Sequence, residues 1–196
     1  MKRRLEIVRR ATEIFERKGF TQTSFEDIAS AVGLKREALY YHFKNKSEIL
    51  YDIIKPQSDA LVRGLERISV LDAPFERRFA MAIENHIERF SPDYLEMAVA
   101  YREISGREVT KHLSELRKTW KAYEKLWIDL IEAGQRSGEV DPSLNAKVVG
   151  FAVLGLCNSL SSWYSPEGPI TLAQLMDTFF KITARGICTG PVSQHG

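Results

Sequence analysis

Apolar residues recur along this chain at intervals of three and four and almost nowhere alternate, a spacing that predicts an all-α fold. Leu5, Val8, Ala11 with Thr12, and Phe15 make a first stripe, closed by Lys18-Gly19 as a basic last turn and a C-terminal glycine. The longest pattern, Leu113, Leu116, Trp120, Tyr123, Trp127, Leu130 and Gly134, predicts an amphipathic helix of about six turns ending near Ser137-Gly138. Asp72, Ser91 and Asp141 stand shortly before prolines and read as N-caps. Thr171 with Gln174 reads as a capping box. Long helices are therefore expected over 47–68, 73–90, 93–104, 110–137, 143–162 and 171–189. With no internal repeat or long linker, a small head of residues 1–46 is expected to abut a body of residues 47–196.

Composition narrows the class. The 196 residues are 44% hydrophobic, enough for one ordinary core and too much for a disordered, collagen-like or disulfide-framework chain. Cys157 and Cys188 show no metal-ligand spacing and read as free thiols of a reducing compartment, so a cytoplasmic location is expected. The start, Met1 to Glu6, runs into charge instead of an apolar stretch and does not read as a secretory signal. The apolar run Val148 to Cys157 falls well short of the roughly 20 residues that span a bilayer. Charge is uneven: the chain through Lys46 carries eleven basic and six acidic residues, whereas the remainder has a slight acidic excess. A basic head on an acidic body suits a polyanion partner.

Residues 21–50 carry the sharpest pattern. Thr23 and Glu26 read as a capping box opening a short helix that turns Phe25, Ile28, Ala29 and Val32 inward. Gly33 ends it, and the chain re-enters helix at Lys35-Arg36-Glu37-Ala38-Leu39, a helix-turn-helix. Leu34 and Leu39 would pin the second helix, leaving Lys35, Arg36, Ala38 and Tyr40 or Tyr41 outward. Arg or Lys can bridge guanine O6 and N7, an alanine methyl can touch thymine, and tyrosine or His42 can donate to phosphate. Asn45-Lys46-Ser47-Glu48 opens the next helix, where Lys46 and the first amides could hold another phosphate.

The stretch Gly19-Phe20 through Leu50, above all Phe25-Glu26-Asp27-Ile28-Ala29, Gly33-Leu34 and Leu39 to Lys46, resembles the N-terminal domain of the TetR family of bacterial transcriptional repressors. The resemblance implies a homodimer that sets two such helices on a pseudo-palindromic operator in double-stranded DNA. It implies base or groove contact for Lys35, Arg36, Glu37, Ala38 and Tyr40, and phosphate contact for Thr23, Ser24, Tyr41, His42 and Lys46. Glu37 could instead lie beside Arg36 and reject wrong bases.

The body concentrates bulky groups with polar tips: Phe79, Met81, His86, Phe90, Tyr94, Met97, Tyr101, Trp120, Tyr123 and Trp127. Most such stripes are core, but buried His86, Tyr101, Tyr123 and the indoles would need partners, which a partly polar cavity supplies. Proteins of the resembled family generally place a small-molecule cavity among their central helices. This implies effector contact for His86, Phe90, Met97, Tyr101, Trp120, Tyr123, Trp127 and Trp163. Trp163-Tyr164-Ser165-Pro166-Glu167-Gly168-Pro169-Ile170-Thr171 is similar to the branch that represses fatty-acid and steroid catabolism in response to acyl-CoA thioesters. A CoA would also require cations for its phosphates. The helix before Trp163 offers only Asn158, Ser159, Ser161 and Ser162, so Arg102, Arg107 or Lys111 would have to serve.

Val148, Phe151, Ala152, Gly155 and Leu156, with Leu172, Leu175, Phe179 and Ile182, could form a four-helix interface between two subunits or close the monomer's own core. Pro56 inside helix 47–68 is expected to kink it and serve as a hinge between body and head. Two rivals remain: an efflux regulator sensing aromatic or cationic compounds, and a helical enzyme or interaction module without DNA binding. Against an enzyme stand the lack of a phosphate loop, HExxH or Cys/His cluster, while Glu84 and Glu88 lack the Glu-x-x-His partners of a di-metal site. No catalytic residue, metal or cofactor is expected.

Overall fold

The computed structural model describes residues 2–88, 111–165 and 167–189, and the helices are numbered among these. They are α1 (Lys2–Lys18), α2 (Phe25–Ala31), α3 (Arg36–Tyr40), α4 (Lys46–Ser69), α5 (Phe75–Glu88), α6 (Lys111–Arg136), α7 (Ala146–Asn158) with a 3-10 turn at Ser159–Ser162, and α8 (Leu172–Ile187). The only strand-like pairing among these residues is an isolated antiparallel bridge between Val140 and Cys188. The chain is all-α. The expected helix 93–104 and the expected cap Ser91 lie outside the described residues.

Two compact units share these elements. The first takes the chain up to Ser58 and the start of α6 up to Lys118. Its core is Ile7, Ala11, Ile14, Phe15, Ile28, Ala29, Leu39, Phe43, Ile49, Leu50 and Ile54, contributed by all of α1 to α4. The buried stripe of α1 is thus Ile7, Ala11, Ile14 and Phe15. Leu5, assigned to that stripe from the sequence, stands exposed because the face is rotated toward Ile7 and Ile14. Gly19 and Gly33 take positive φ at the ends of α1 and of the α2 segment, where a side chain would be strained. The capping box of α2 is Ser24 with Asp27, one residue beyond the expected Thr23 and Glu26. Asp27 is held well below the usual carboxylate range by Lys18 at 2.7 Å, then by the Ser24 amide and hydroxyl. The first two turns of α6 also belong to this unit: Tyr51 donates to Glu115 at 2.6 Å and stacks on His112.

The second unit runs from Asp59 onward and from Thr119 onward. One hydrophobic cluster joins Leu65 and Ile68 of α4, Phe75, Phe79 and Ile83 of α5, Trp127 and Leu130 of α6, Val153 and Leu154 of α7, and Leu175, Phe179 and Phe180 of α8. Close approach is built in: a Cβ at Gly134 would lie 2.5 Å from Phe75 and 2.6 Å from Val140. Cys157 is buried in the same cluster, and burial pushes its thiol up to about 12. Two expected caps are corrected. The first free amide of α5, that of Phe75, is taken by Glu139 at 2.8 Å and not by Asp72. Asp141 instead accepts from Ser143, while α7 starts later, capped by Asn145, which accepts from Val148. The Thr171–Gln174 box caps α8 as read. Helix α4 is continuous across Pro56.

Candidate functional site

The head turns the residues around α3 outward. Leu39 is fully buried beneath it, and the Leu34 amide donates to the Ala29 carbonyl, closing the turn between α2 and α3. Lys35, Arg36, Glu37, Ala38 and Tyr40 all face solvent together. The Arg36 guanidinium donates to the Tyr40 hydroxyl at 3.3 Å, and the Tyr40 ring rests on Phe25 of α2, with 4.8 Å between centroids. Phe25, expected to turn inward, is only half-buried and supports the outward edge instead of joining the core. Tyr41 is the most open aromatic of the head at 88% exposure, edge-on to the half-buried His42 ring.

Two residues to which the resemblance gives phosphate contacts are otherwise engaged. The Thr23 side chain is 1% exposed, and its hydroxyl donates to the Gly19 carbonyl at 2.8 Å. The Lys46 ammonium donates to the carbonyls of Phe20, Thr21 and Thr23 at 2.8, 3.1 and 2.8 Å, which uses all three of its protons. Partial burial lowers its pKa. Both residues brace the turn between α1 and α2. Ser24 is exposed, with its hydroxyl given to the Asp27 cap. Two further cations of the head have partners that no local pattern reveals. Arg4 donates to Asp52 and to the His42 carbonyl while lying over the Phe43 ring, and Arg3 reaches the Val32 carbonyl at 2.7 Å. These partners are 29 to 48 residues away, although Arg3 also pairs with Glu6 one turn on.

The body holds a polar cluster inside its core. His86 of α5 is 8% exposed; its Nδ1 lies 3.0 Å from the Tyr123 hydroxyl and its Nε2 3.1 Å from Asn158 Oδ1. An Nε2–H that donates to Asn158, with Nδ1 accepting from Tyr123, satisfies both contacts in the neutral ring. Burial keeps the ring neutral, with its pKa pushed down to about 4. Trp127, one turn beyond Tyr123, sits edge-on to it and is fully buried, yet its indole N–H has no hydrogen-bond partner. Such an orphan donor costs about 1–3 kcal/mol. Trp120 is half-buried. Trp163, for which the resemblance implies effector contact, is 51% exposed and donates to Ser159, carried outward by the 3-10 turn after α7. Phe90, Met97, Tyr101, Tyr94, Arg102 and Arg107 lie outside the described residues. Separately, a groove of about 470 Å³ opens between α5 and α8, floored by Met81, Met176 and Phe180 and edged by Arg77, Glu84 and Asp177.

Among the described residues no group of three or more His, Cys, Asp or Glu could hold a metal, and no helix is long and apolar enough to cross a membrane. A helix-turn-helix with an outward basic edge, in a chain whose second unit is helical around a hydrophobic core, has the elements of a DNA-binding transcriptional regulator. The profile described as bacterial regulatory proteins, tetR family, matches residues 7–53, and that of the tetracyclin repressor-like C-terminal domain matches residues 72–187. The chain belongs to the TetR family.

Among its relatives is the transcriptional repressor KstR2 of Mycobacterium tuberculosis, 26% identical over 193 residues that cover 94% of this chain and 92% of the relative. The fatty acid metabolism regulator protein of Bacillus subtilis is 22% identical over 186 residues, covering 93% of this chain and 94% of that protein. The solved structure of the ketosteroid regulator KstR2 of M. tuberculosis superposes with a TM-score of 0.83 at 22% identity, covering 96% of each chain. AibR in complex with isovaleryl coenzyme A and operator DNA superposes with a TM-score of 0.78 at 20% identity, over 92% of this chain and 97% of that one.

Proposed function

We propose that this chain is a cytoplasmic repressor that grips a pseudo-palindromic operator as a homodimer and releases it when an acyl-CoA thioester of lipid or steroid catabolism enters the helical body. One observation carries the DNA part: Lys35, Arg36, Glu37, Ala38 and Tyr40 form a solvent-facing row on a helix whose one inward side chain, Leu39, is completely buried. Base edges are read by Lys35, Arg36 and Ala38, with Glu37 excluding wrong bases and Tyr40 steadying Arg36. Ser24, Tyr41 and His42 stand at the flanks for phosphate. Thr23 and Lys46 act indirectly, by holding the turn between α1 and α2 in place.

The effector class follows from the relatives' names: a fatty acid metabolism regulator, a ketosteroid regulator, and a neighbour solved with isovaleryl coenzyme A. Pairing of two copies is assigned to the exposed apolar row Val148, Phe151, Ala152 and Gly155 of α7 with Ile182 of α8. Leu175 and Phe179, grouped with that row from the sequence, are turned into the monomer's own core.

Fluorescence anisotropy of duplexes from the DNA flanking the coding region tests the reading. Wild type is expected to bind one fragment with steep salt dependence. Arg36→Ala should weaken that fragment by about 10- to 100-fold, leaving non-specific binding nearly intact. Equal binding of every fragment by both proteins would defeat it. Octanoyl-CoA added to the bound complex tests release.

A further inference from the structure

We infer that the buried cluster of Trp127, Tyr123, His86 and Asn158 is the polar anchor of the effector site and takes an uncharged carbonyl oxygen, to which the Trp127 indole N–H donates. The inference rests on the proposed ligand response and adds which atoms read the ligand and what they reject.

Three observations carry it. The Trp127 N–H is a fully buried donor without an acceptor, the kind of group that persists when something outside the chain completes it. It stands in a contiguous polar island: the Trp127 and Tyr123 rings are 6.4 Å apart, those of Tyr123 and His86 5.8 Å, and His86 reaches Asn158 at 3.1 Å. The side chains packed with that island are apolar, with Phe79 6.1 Å from the indole and Ile83 and Leu130 buried in the same cluster.

Every side chain of the island is neutral, His86 included, since burial pushes its pKa down to about 4. An anion brought there would lose its hydration and gain no opposite charge. A thioester, ester or ketone oxygen needs one donor and brings no charge. The cluster therefore separates an activated acyl group or a ketone from the corresponding free acid, and a CoA's phosphates must be held elsewhere.

The chain has three tryptophans, so ¹⁵N-tryptophan labelling gives a short indole spectrum in which Trp127→Phe identifies the Trp127 signal by its loss. Octanoyl-CoA, methyl octanoate and androstenedione are the neutral carbonyl probes, and octanoate is the anionic one. S-octyl-CoA is the thioether that lacks the carbonyl. The Trp127 N–H resonance of the wild-type chain is expected to move with the neutral carbonyl probes and to stay with octanoate. Trp127→Phe, which keeps a ring in place, should weaken octanoyl-CoA tenfold or more and S-octyl-CoA by less than threefold. A resonance unmoved by every carbonyl probe would overturn the assignment. So would octanoate binding as tightly as methyl octanoate, or equal weakening of the thioester and the thioether. Operator release is read separately: an indole that responds while the operator stays bound would overturn the repressor-release reading and leave the anchor standing.

Discussion

The imidazole of His86 titrates over different ranges in the two states of the chain. Unfolded, it protonates near the ordinary 6.5; folded, only near 4, because burial penalises the cation more than Asn158 helps it. The unfolded state thus takes up the proton first. The stabilisation is complete above about pH 6.5 and is lost as pH falls toward 4, up to about 3 kcal/mol in all. Denaturant unfolding at pH 7 and pH 4.5 should show this loss, and His86→Gln should reduce the difference between the two pH values. Lys46 supplies a second case. Lys46→Met leaves three carbonyls without their shared donor and should lower stability by about 1–3 kcal/mol. If Lys46 braces the turn instead of neutralising a phosphate, the salt slope of operator binding will stay unchanged in that variant. A slope reduced by about one would return Lys46 to the DNA.

Helix ends were only partly legible in the sequence, and the failures share a physical origin. The Thr171–Gln174 box and the Asn45–Glu48 start were read correctly because cap and recipient lie within one turn of each other. The caps at Asp72 and Asp141 were misplaced. A proline after an aspartate fits a turn as well as a helix start, and the amide of Phe75 is satisfied by Glu139, 64 residues away. The cap on α7 is Asn145, which accepts from Val148 at 3.1 Å. Asn145→Ala should cost about 1 kcal/mol in thermal or denaturant unfolding, and Asn145→Ser much less. A matching Asp141→Ala variant, which loses only a local turn contact, is expected to fall below that.

At the scale of the molecule the two faces of α7 do different work. Val153, Leu154 and Cys157 are buried in the core, whereas Val148, Phe151, Ala152 and Gly155 leave an apolar row in solvent. Phe151→Glu combined with Ile182→Glu should therefore turn a dimer into a monomer in light-scattering chromatography while preserving helical content. Operator affinity should fall by at least 100-fold, since a single head holds only one half-site. A variant that stays dimeric would move the interface elsewhere.

The amino-acid order alone determined the helical class, the helix-turn-helix with its outward Lys35, Arg36 and Ala38, and the family. Each of these depends on periodicities and turn residues that act within a few positions of one another. Tertiary structure decided which polar groups remain available. Thr23 and Lys46 are engaged by backbone carbonyls, Trp163 is turned outward by a 3-10 turn, and Leu175 and Phe179 are buried in the monomer. The partners of His86 come from α6 and α7, 37 and 72 residues further on, where only packing of the helices could bring them. Spacing along a chain reports which face of a helix is apolar. It carries no record of what that face meets.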